Sequence, residues 1–248
     1  ASIVTVRASS TRLEKKCFKK LYKQTSMLEI VIDRAKKVGH KVIVATTNNS
    51  SDDKIEEIAK KNSVDIFRGS ILNKIHRWYS CQKKFDLDYM ILIDADDPSF
   101  CFSLAHRALN SIVKYKKEIT IGSKNLLPGL ITNCFSSKGM YKLYKTAQDE
   151  RIDTDVIDEF IKAANLDYFV IEPKKLKEYI CNIRLTVDYE VDIKFYKALF
   201  KKIFYLEESS KMISVIKKEN LEKINWFKNQ EYVDNQIKFN EKVVFNDK

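Results

Sequence analysis

The sequence predicts an α/β fold with a mostly parallel central sheet flanked by helices, and three observations carry that prediction. Short apolar runs recur at residues 3–6, 42–46, 64–67, 89–93, 119–121 and 168–171. Most are separated by roughly 15 to 25 residues with helical periodicity, the interval a crossover helix needs between parallel strands. Polar residues then gather directly after several of these runs, where an open parallel sheet presents its ligand crevice. With 248 residues and 44% hydrophobic content, the chain has enough apolar surface for a core of ordinary domain size.

The first run, Ile3-Val4-Thr5-Val6, leads into a turn carrying Arg7, Ser9, Ser10, Thr11, Arg12 and Lys16. Such a turn has the character of a polyanion-binding loop: its cations attract phosphates, and the amides of residues 8–11 form a concave array of donors. Arg12 and Lys16 lie four apart, so a helix following the turn would aim both at one polyanion. After the second run, Ser51-Asp52-Asp53 starts a helix with the apolar stripe Ile55, Ile58 and Ala59. The third run closes on Phe67-Arg68-Gly69-Ser70, with Arg77 just beyond. Ser70 is the expected cap of a helix carrying Ile75, Trp78 and Tyr79, and its amino end would favour an anion.

The fourth run ends Ile91-Leu92-Ile93-Asp94-Ala95-Asp96-Asp97-Pro98. Hard cations such as Mg²⁺ are held by one or two carboxylates plus phosphate oxygens, and strand ends supply the rigidity this needs. Alternation along the strand sets Asp94 and Asp96 on one side and Asp97 on the other. An Asp-rich turn before proline is the plainer reading of the same residues. From about residue 124 the regularity loosens. Leu127-Pro128-Gly129-Leu130 reads as a turn, 131–135 as a strand, 136–147 and 153–164 as helices, and the whole stretch of about 124–182 as an insertion closing over the site. A second lone carboxylate, Asp188, ends the apolar segment Ile183-Arg184-Leu185-Thr186-Val187. Side by side at the sheet's carboxyl edge, Asp96 and Asp188 would share one ion. Amphipathic stretches at 191–203 and 210–218 precede a polar tail from about 229, and residues 1–248 read as one folded unit.

Several function classes are excluded. The five glycines form neither G-x-G-x-x-G nor a Walker A loop. The five cysteines are widely spaced and odd in number, which fits buried thiols in a reducing cytoplasm better than a disulfide framework or a zinc knuckle. No stretch approaches the ~18 apolar residues of a membrane span. The net charge of +11 comes mostly from dispersed lysines. Five of the arginines, Arg7, Arg12, Arg68, Arg77 and Arg184, sit in the motifs and form no reading surface for nucleic acid. His40, His76 and His106 lack ligand spacing and a nucleophile partner.

Taken in order, Arg7-Ala8-Ser9-Ser10-Thr11-Arg12-Leu13 with Lys16, Phe67-Arg68-Gly69-Ser70, Asp96-Asp97-Pro98 and Arg184-Leu185-Thr186-Val187-Asp188 resemble the bacterial cytidylyltransferases. The spore-coat-polysaccharide-biosynthesis type is most similar, with the CMP-keto-deoxyoctulosonate synthetases as wider relatives. Val44-Ala45-Thr46-Thr47, Asp52-Asp53, Arg77, Asp192 and Leu221-Ile224-Asn225 fall in the same order. The resemblance implies a Rossmann-like nucleotide-diphospho-sugar transferase fold with an inserted lid or acceptor lobe. It also implies Mg²⁺-dependent transfer of CMP from CTP to an acidic or phosphorylated acceptor, with pyrophosphate released, for surface polysaccharide or glycoconjugate biosynthesis by a homodimer.

On this resemblance Arg7, Ala8, Ser9, Ser10, Thr11, Thr47, Arg68, Gly69, Ser70 and Arg77 bind nucleotide. Arg12 and Lys16 act on the triphosphate as catalytic cations. Asp96 and Asp188 hold Mg²⁺, with Asp94 a further candidate ligand. The chain departs from the family at Ser9, where glycine is usual, and at Glu14-Lys15, where a Pro-Gly pair is usual. Two other readings stand beside this one: a glycosyltransferase using Asp94-Ala95-Asp96 as a D-x-D motif for a nucleotide sugar, and a nucleotide-binding homologue without turnover.

Overall fold

Each long strand sends alternate side chains to opposite faces, and two cores result. In the computed structural model, which describes residues 1–9, 13–131, 133–154, 157–173 and 182–240, β1 (Ser2–Thr5) is followed by a small hairpin of β2 (Lys20–Tyr22) and β3 (Thr25–Ser26), then by α1 (Met27–Lys36). Next come β4 (Val42–Thr47), α2 (Asp53–Lys61), β5 (Asp65–Gly69), α3 (Lys74–Phe85), β6 (Tyr89–Asp94) and α4 (Phe102–Lys114). The second half supplies β7 (Ile119–Gly122), β8 (Cys134–Ser136), α5 (Ser137–Lys145), α6 (Asp158–Ala163), β9 (Tyr168–Ile171), α7 (Glu190–Lys202), α8 (Ser209–Glu219) and α9 (Asn229–Asn240).

The seven-stranded sheet has the order β5-β4-β1-β6-β8-β7-β9, and only β8 runs against its neighbours. Val4, Val44, Ile91 and Ile93 face one core, shared with α1, α4, α7 and α8. Ile3, Ile43, Ala45, Met90 and Leu92 face the other, with α3, α5 and α6. Strands buried on both faces read as continuous apolar runs, which is why they were visible in the sequence. β1 is central: Thr5 is level with Ala45 of β4 and Asp94 of β6. The chain leaves β1 toward β4 and returns on its other side as β6. That switch point opens a crevice at the strands' carboxyl ends.

Local chemistry sets the helix starts. Ser26 caps α1 in a reciprocal box with Glu29. Asn73 caps α3 by accepting from the His76 amide, so the cap lies three residues after Ser70, the residue expected there. The Ser70 hydroxyl instead accepts from the Asn73 amide. The stretch of 124–182 contributes β8 between β6 and β7, because Cys134 and Phe135 are fully buried. Behind it α5 packs on α3, with Tyr79 and Tyr144 stacked at 4.2 Å. Residues 229–240, read as a polar tail, form α9. The hairpin of β2 and β3 had no clear signal, since strands of three and two residues are too short to show alternation. None of the described helices is long and apolar enough to cross a membrane.

Candidate active site

The crevice is built around one ammonium group. Lys16 opens a single 3₁₀ turn, Lys16–Phe18, and its Nζ donates to Asp96 Oδ2 at 2.6 Å and to the Val187 carbonyl at 3.0 Å. Asp188 Oδ1 lies 3.7 Å away. The Val187 amide also donates to the Asp96 carbonyl at 2.9 Å, lashing the Arg184–Asp188 strap to the turn after β6. Asp96 and Asp188 therefore meet around a shared cation. Lys15, just before it, has φ 51°, a left-handed conformation that costs a lysine about 1 kcal/mol. Glu14 is exposed and lies 3.5 Å from Lys15 Nζ.

Asp188 is held from behind by residues with ordinary sequence signals. Buried Arg184 pairs in fork fashion with both oxygens of buried Asp192, at 2.6 and 3.0 Å. Asp192 Oδ2 also accepts the amides of Asp188 and Tyr189, while Asn225 donates to Oδ1. This arrangement is a bidentate, charge-assisted clamp in a dry setting. It explains why Arg184 belongs to the motif: besides gripping Asp192, its guanidinium lies 3.7 Å from Asp188 Oδ2. From α9, the Tyr232 ring lies 5.1 Å from the Arg184 guanidinium, and Asn229 bonds Arg184 and the Asn182 carbonyl. Burial and then the charges of Asp188, Asp97 and Asp96 push the Tyr232 phenol up. This helix borders the carboxylate cluster, a role that its polar composition concealed.

Three more charges shape the field. Burial alone would raise the Asp96 carboxyl, but the Lys16 ammonium, through charge and hydrogen bond, and then Lys74 hold it below the usual range. Asp97 goes the other way. It is buried, and that burial, with Asp96 and Asp94 beside it, drives its carboxyl well above the ordinary value. Alternation suggested that it faced away from the pair, yet the chain turns at once after β6, and Asp97 remains within their field. Lys74, at the start of α3, meets Asp94 at 3.1 Å and lies 5.0 Å above the Trp78 ring. It gave no signal in the sequence, because a lone lysine at a helix start is usually solvated.

On the nucleotide side, Asp52 joins two strand ends. Its carboxylate accepts the Ala8 amide at 2.8 Å, the Thr46 and Thr47 hydroxyls at 2.8 and 2.5 Å, and the Thr47 amide at 3.1 Å. Burial would raise this carboxyl, but the hydrogen bonds, Thr47's first, lower it. The sequence marked Asp52 only as a helix start. Because the Ala8 amide is committed to Asp52, it is removed from the donor array expected of the turn. Arg68 is likewise engaged, donating to the Thr47 and Asn49 carbonyls and pairing with Asp53 and Glu56. Arg77 is buried and donates to the Ser70 carbonyl at 2.7 Å, fixing the β5–α3 turn. A Cβ on Gly69 would come within 2.7 Å of the Phe67 ring. Arg7 is half-buried and Ser9 exposed beyond β1; Ser10, Thr11 and Arg12 lie outside the described residues.

The donor set suits a hard cation. Asp96 and Asp188 offer carboxylate oxygens from two segments, and among the described residues no three His, Cys, Asp or Glu side chains gather as a complete cage. A Mg²⁺ ion fits such a pair when substrate phosphates complete its octahedron.

Comparison with known proteins identifies the family. Residues 1–239 match the model of a family described as cytidylyltransferase. An uncharacterized protein of Methanocaldococcus jannaschii is 30% identical over 204 residues, 80% of this chain and 82% of that protein. A cytidylyltransferase from Leptospira borgpetersenii superposes with a TM-score of 0.79 at 22% identity, covering 89% of this chain and 94% of that one. CMP:2-keto-3-deoxy-manno-octonic acid synthetase complexed with CTP gives 0.62 at 12% identity, covering 81% and 98%. At these identities the two structures speak for the fold alone. The family match over nearly the whole chain, and the relative sharing four fifths of both lengths, show that this chain belongs to the cytidylyltransferase family and is a nucleotidyltransferase that draws on CTP.

Proposed function

We propose that the protein transfers CMP from CTP to an acidic sugar or another carboxylate- or phosphate-bearing acceptor. The observation that carries this reading is the convergence of Lys16, Asp96 and Asp188 at the carboxyl end of β1 and β6. An acceptor oxygen attacks the α-phosphorus, the α–β phosphoanhydride bond breaks, and pyrophosphate leaves with the bonding electrons. A phosphate or carboxylate oxygen attacks as the anion with no proton to remove, whereas an attacking sugar hydroxyl must give its proton up to solvent; in both cases most of the task is positioning and charge neutralisation. Lys16 and Arg12 would bear on the triphosphate, with Arg7 a further nucleotide-binding cation. Asp52 shapes the turn that receives the nucleotide, and the Arg184–Asp192 clamp orients Asp188. When bound by Asp96 and Asp188, Mg²⁺ supplies Lewis acidity to phosphate oxygens. Asp94, which pairs with Lys74, is a further candidate ligand. We further infer, from the resemblance, a product destined for surface polysaccharide or glycoconjugate biosynthesis and a cytoplasmic homodimer.

The test is pyrophosphate release with Mg²⁺ and each of CTP, UTP, ATP and GTP against acidic sugars, sugar phosphates and phosphonates. CTP-selective release is expected, and Asp96→Asn and Asp188→Asn should each reduce it by about 10²-fold or more with the fold retained. Equal release from other nucleotides, or full activity in either variant, would contradict the reading.

A further inference from the structure

The Lys16 ammonium stands where the shared ligand of Asp96 and Asp188 belongs. It gathers Asp96 Oδ2, the Val187 carbonyl and Asp188 Oδ1, from segments 80 and 171 residues away along the chain. Converging oxygens of this kind form the donor set of a hard-cation site, filled here by a side chain. A divalent ion and an ammonium cannot share that point, since like charges a few ångströms apart repel strongly away from bulk water.

The two carboxylates differ in freedom. Asp188 is 3% exposed and fixed through Arg184 and Asp192. Lys16 is a flexible four-carbon stem on a one-turn helix, preceded by exposed Glu14 and Lys15. The rotatable bonds of that stem let the ammonium shift without moving the backbone.

We propose that Lys16 is an internal counter-ion that keeps the Asp96–Asp188 pair closed to free divalent metal until a triphosphate draws the ammonium onto its own oxygens. The inference rests on the metal reading above. It makes metal entry conditional on nucleotide and stabilises the empty site, because buried carboxylates without a partner are costly. The charges balance through the exchange: the carboxylates trade an ammonium for a divalent ion, and the ammonium passes to the triphosphate. Linkage then requires that metal raise nucleotide affinity by the same factor.

Titration with Mn²⁺, followed by electron paramagnetic resonance on wild type, Lys16→Met and Lys16→Arg, separates the alternatives, with melting curves confirming folded samples. Without nucleotide, Lys16→Met should bind Mn²⁺ roughly ten- to a thousandfold more tightly than wild type, the scale on which one ammonium at such a distance biases a carboxylate. Lys16→Arg should stay closed. Adding Asp188→Asn to Lys16→Met should erase the gain. If wild type without nucleotide binds Mn²⁺ as tightly as Lys16→Met, the counter-ion role falls. Should Asp96→Asn and Asp188→Asn still weaken Mn²⁺ in the CTP complex, the metal reading survives that result; should they leave it unchanged, both fall together. Lys16→Gln serves as the neutral variant if Lys16→Met does not fold.

Discussion

Glu29 shows how one side chain carries both local structure and pH dependence. It closes the capping box of α1, accepting from the Ser26 amide and hydroxyl, and it meets Lys61 and Lys20 at 3.2 and 3.6 Å. Burial alone would raise its carboxyl, but the Ser26 bonds and then the two lysines override it and hold the group at about 2, against an ordinary 4.5. A carboxyl lowered by folding contributes stability that is complete above its unfolded value and is lost as pH falls toward its folded one. Melting temperatures should therefore separate wild type from Glu29→Gln at pH 7, and the gap should narrow between pH 4.5 and 2. A gap that stays constant through that window would show that the cap works without its charge. Arg34 behaves differently. Fully buried and drawn down to about 10 chiefly by burial, it stays charged at any ordinary pH, and its donors serve the carbonyls of Phe100, Tyr205 and Glu207.

Among the elements, the turn at residues 127–130 and the strap at 182–188 act as one piece. The Leu185 amide donates to the Pro128 carbonyl at 2.9 Å. Gly129 has φ 87°, and a Cβ there would sit 2.5 Å from the Leu185 carbonyl carbon. Gly129→Ala must shift the strap that carries Asp188. It should cost about 1–3 kcal/mol in chemical denaturation and lower turnover as well. Gly39, with φ 84° but open space around it, provides the control: Gly39→Ala should cost about 1 kcal/mol and leave turnover intact. Normal activity in Gly129→Ala would mean that Asp188 does not depend on this turn. At residue level the sequence could mark Gly129 only as part of a Leu-Pro-Gly-Leu turn, since the element it supports begins more than fifty residues later.

For the whole molecule, the nucleotide would bridge the turn after β1, the turn after β6 and the Arg184–Asp188 strap, three segments that only folding brings together. A ligand that binds the folded state alone stabilises it by mass action, about 2.7 kcal/mol at one hundred times its dissociation constant. For a chain of this size that is a rise of about 5–10 °C in Tm. CTP with Mg²⁺ should produce it and UTP should not; equal shifts for both would remove the assignment of CTP as the preferred nucleotide.

Sequence alone determined the architecture where burial is two-sided and local: β1, β4, β5 and β6 appear as apolar runs because both faces of each strand meet a core, whereas β9 reads as one although Tyr168 and Val170 face solvent. It also marked Lys16, Asp96 and Asp188, because cations and carboxylates at strand ends are unusual enough to stand out in ordered motifs. Only the tertiary structure decided that β8 enters the sheet reversed and that Asp52 binds the Ala8 turn to β4. The same holds for Asp97 remaining in the carboxylate field and for Arg184 clamping Asp192 behind Asp188. Each of these depends on partners distant in the chain, and a side chain's hydrogen-bond partner is a property of the folded neighbourhood, not of its position in a run.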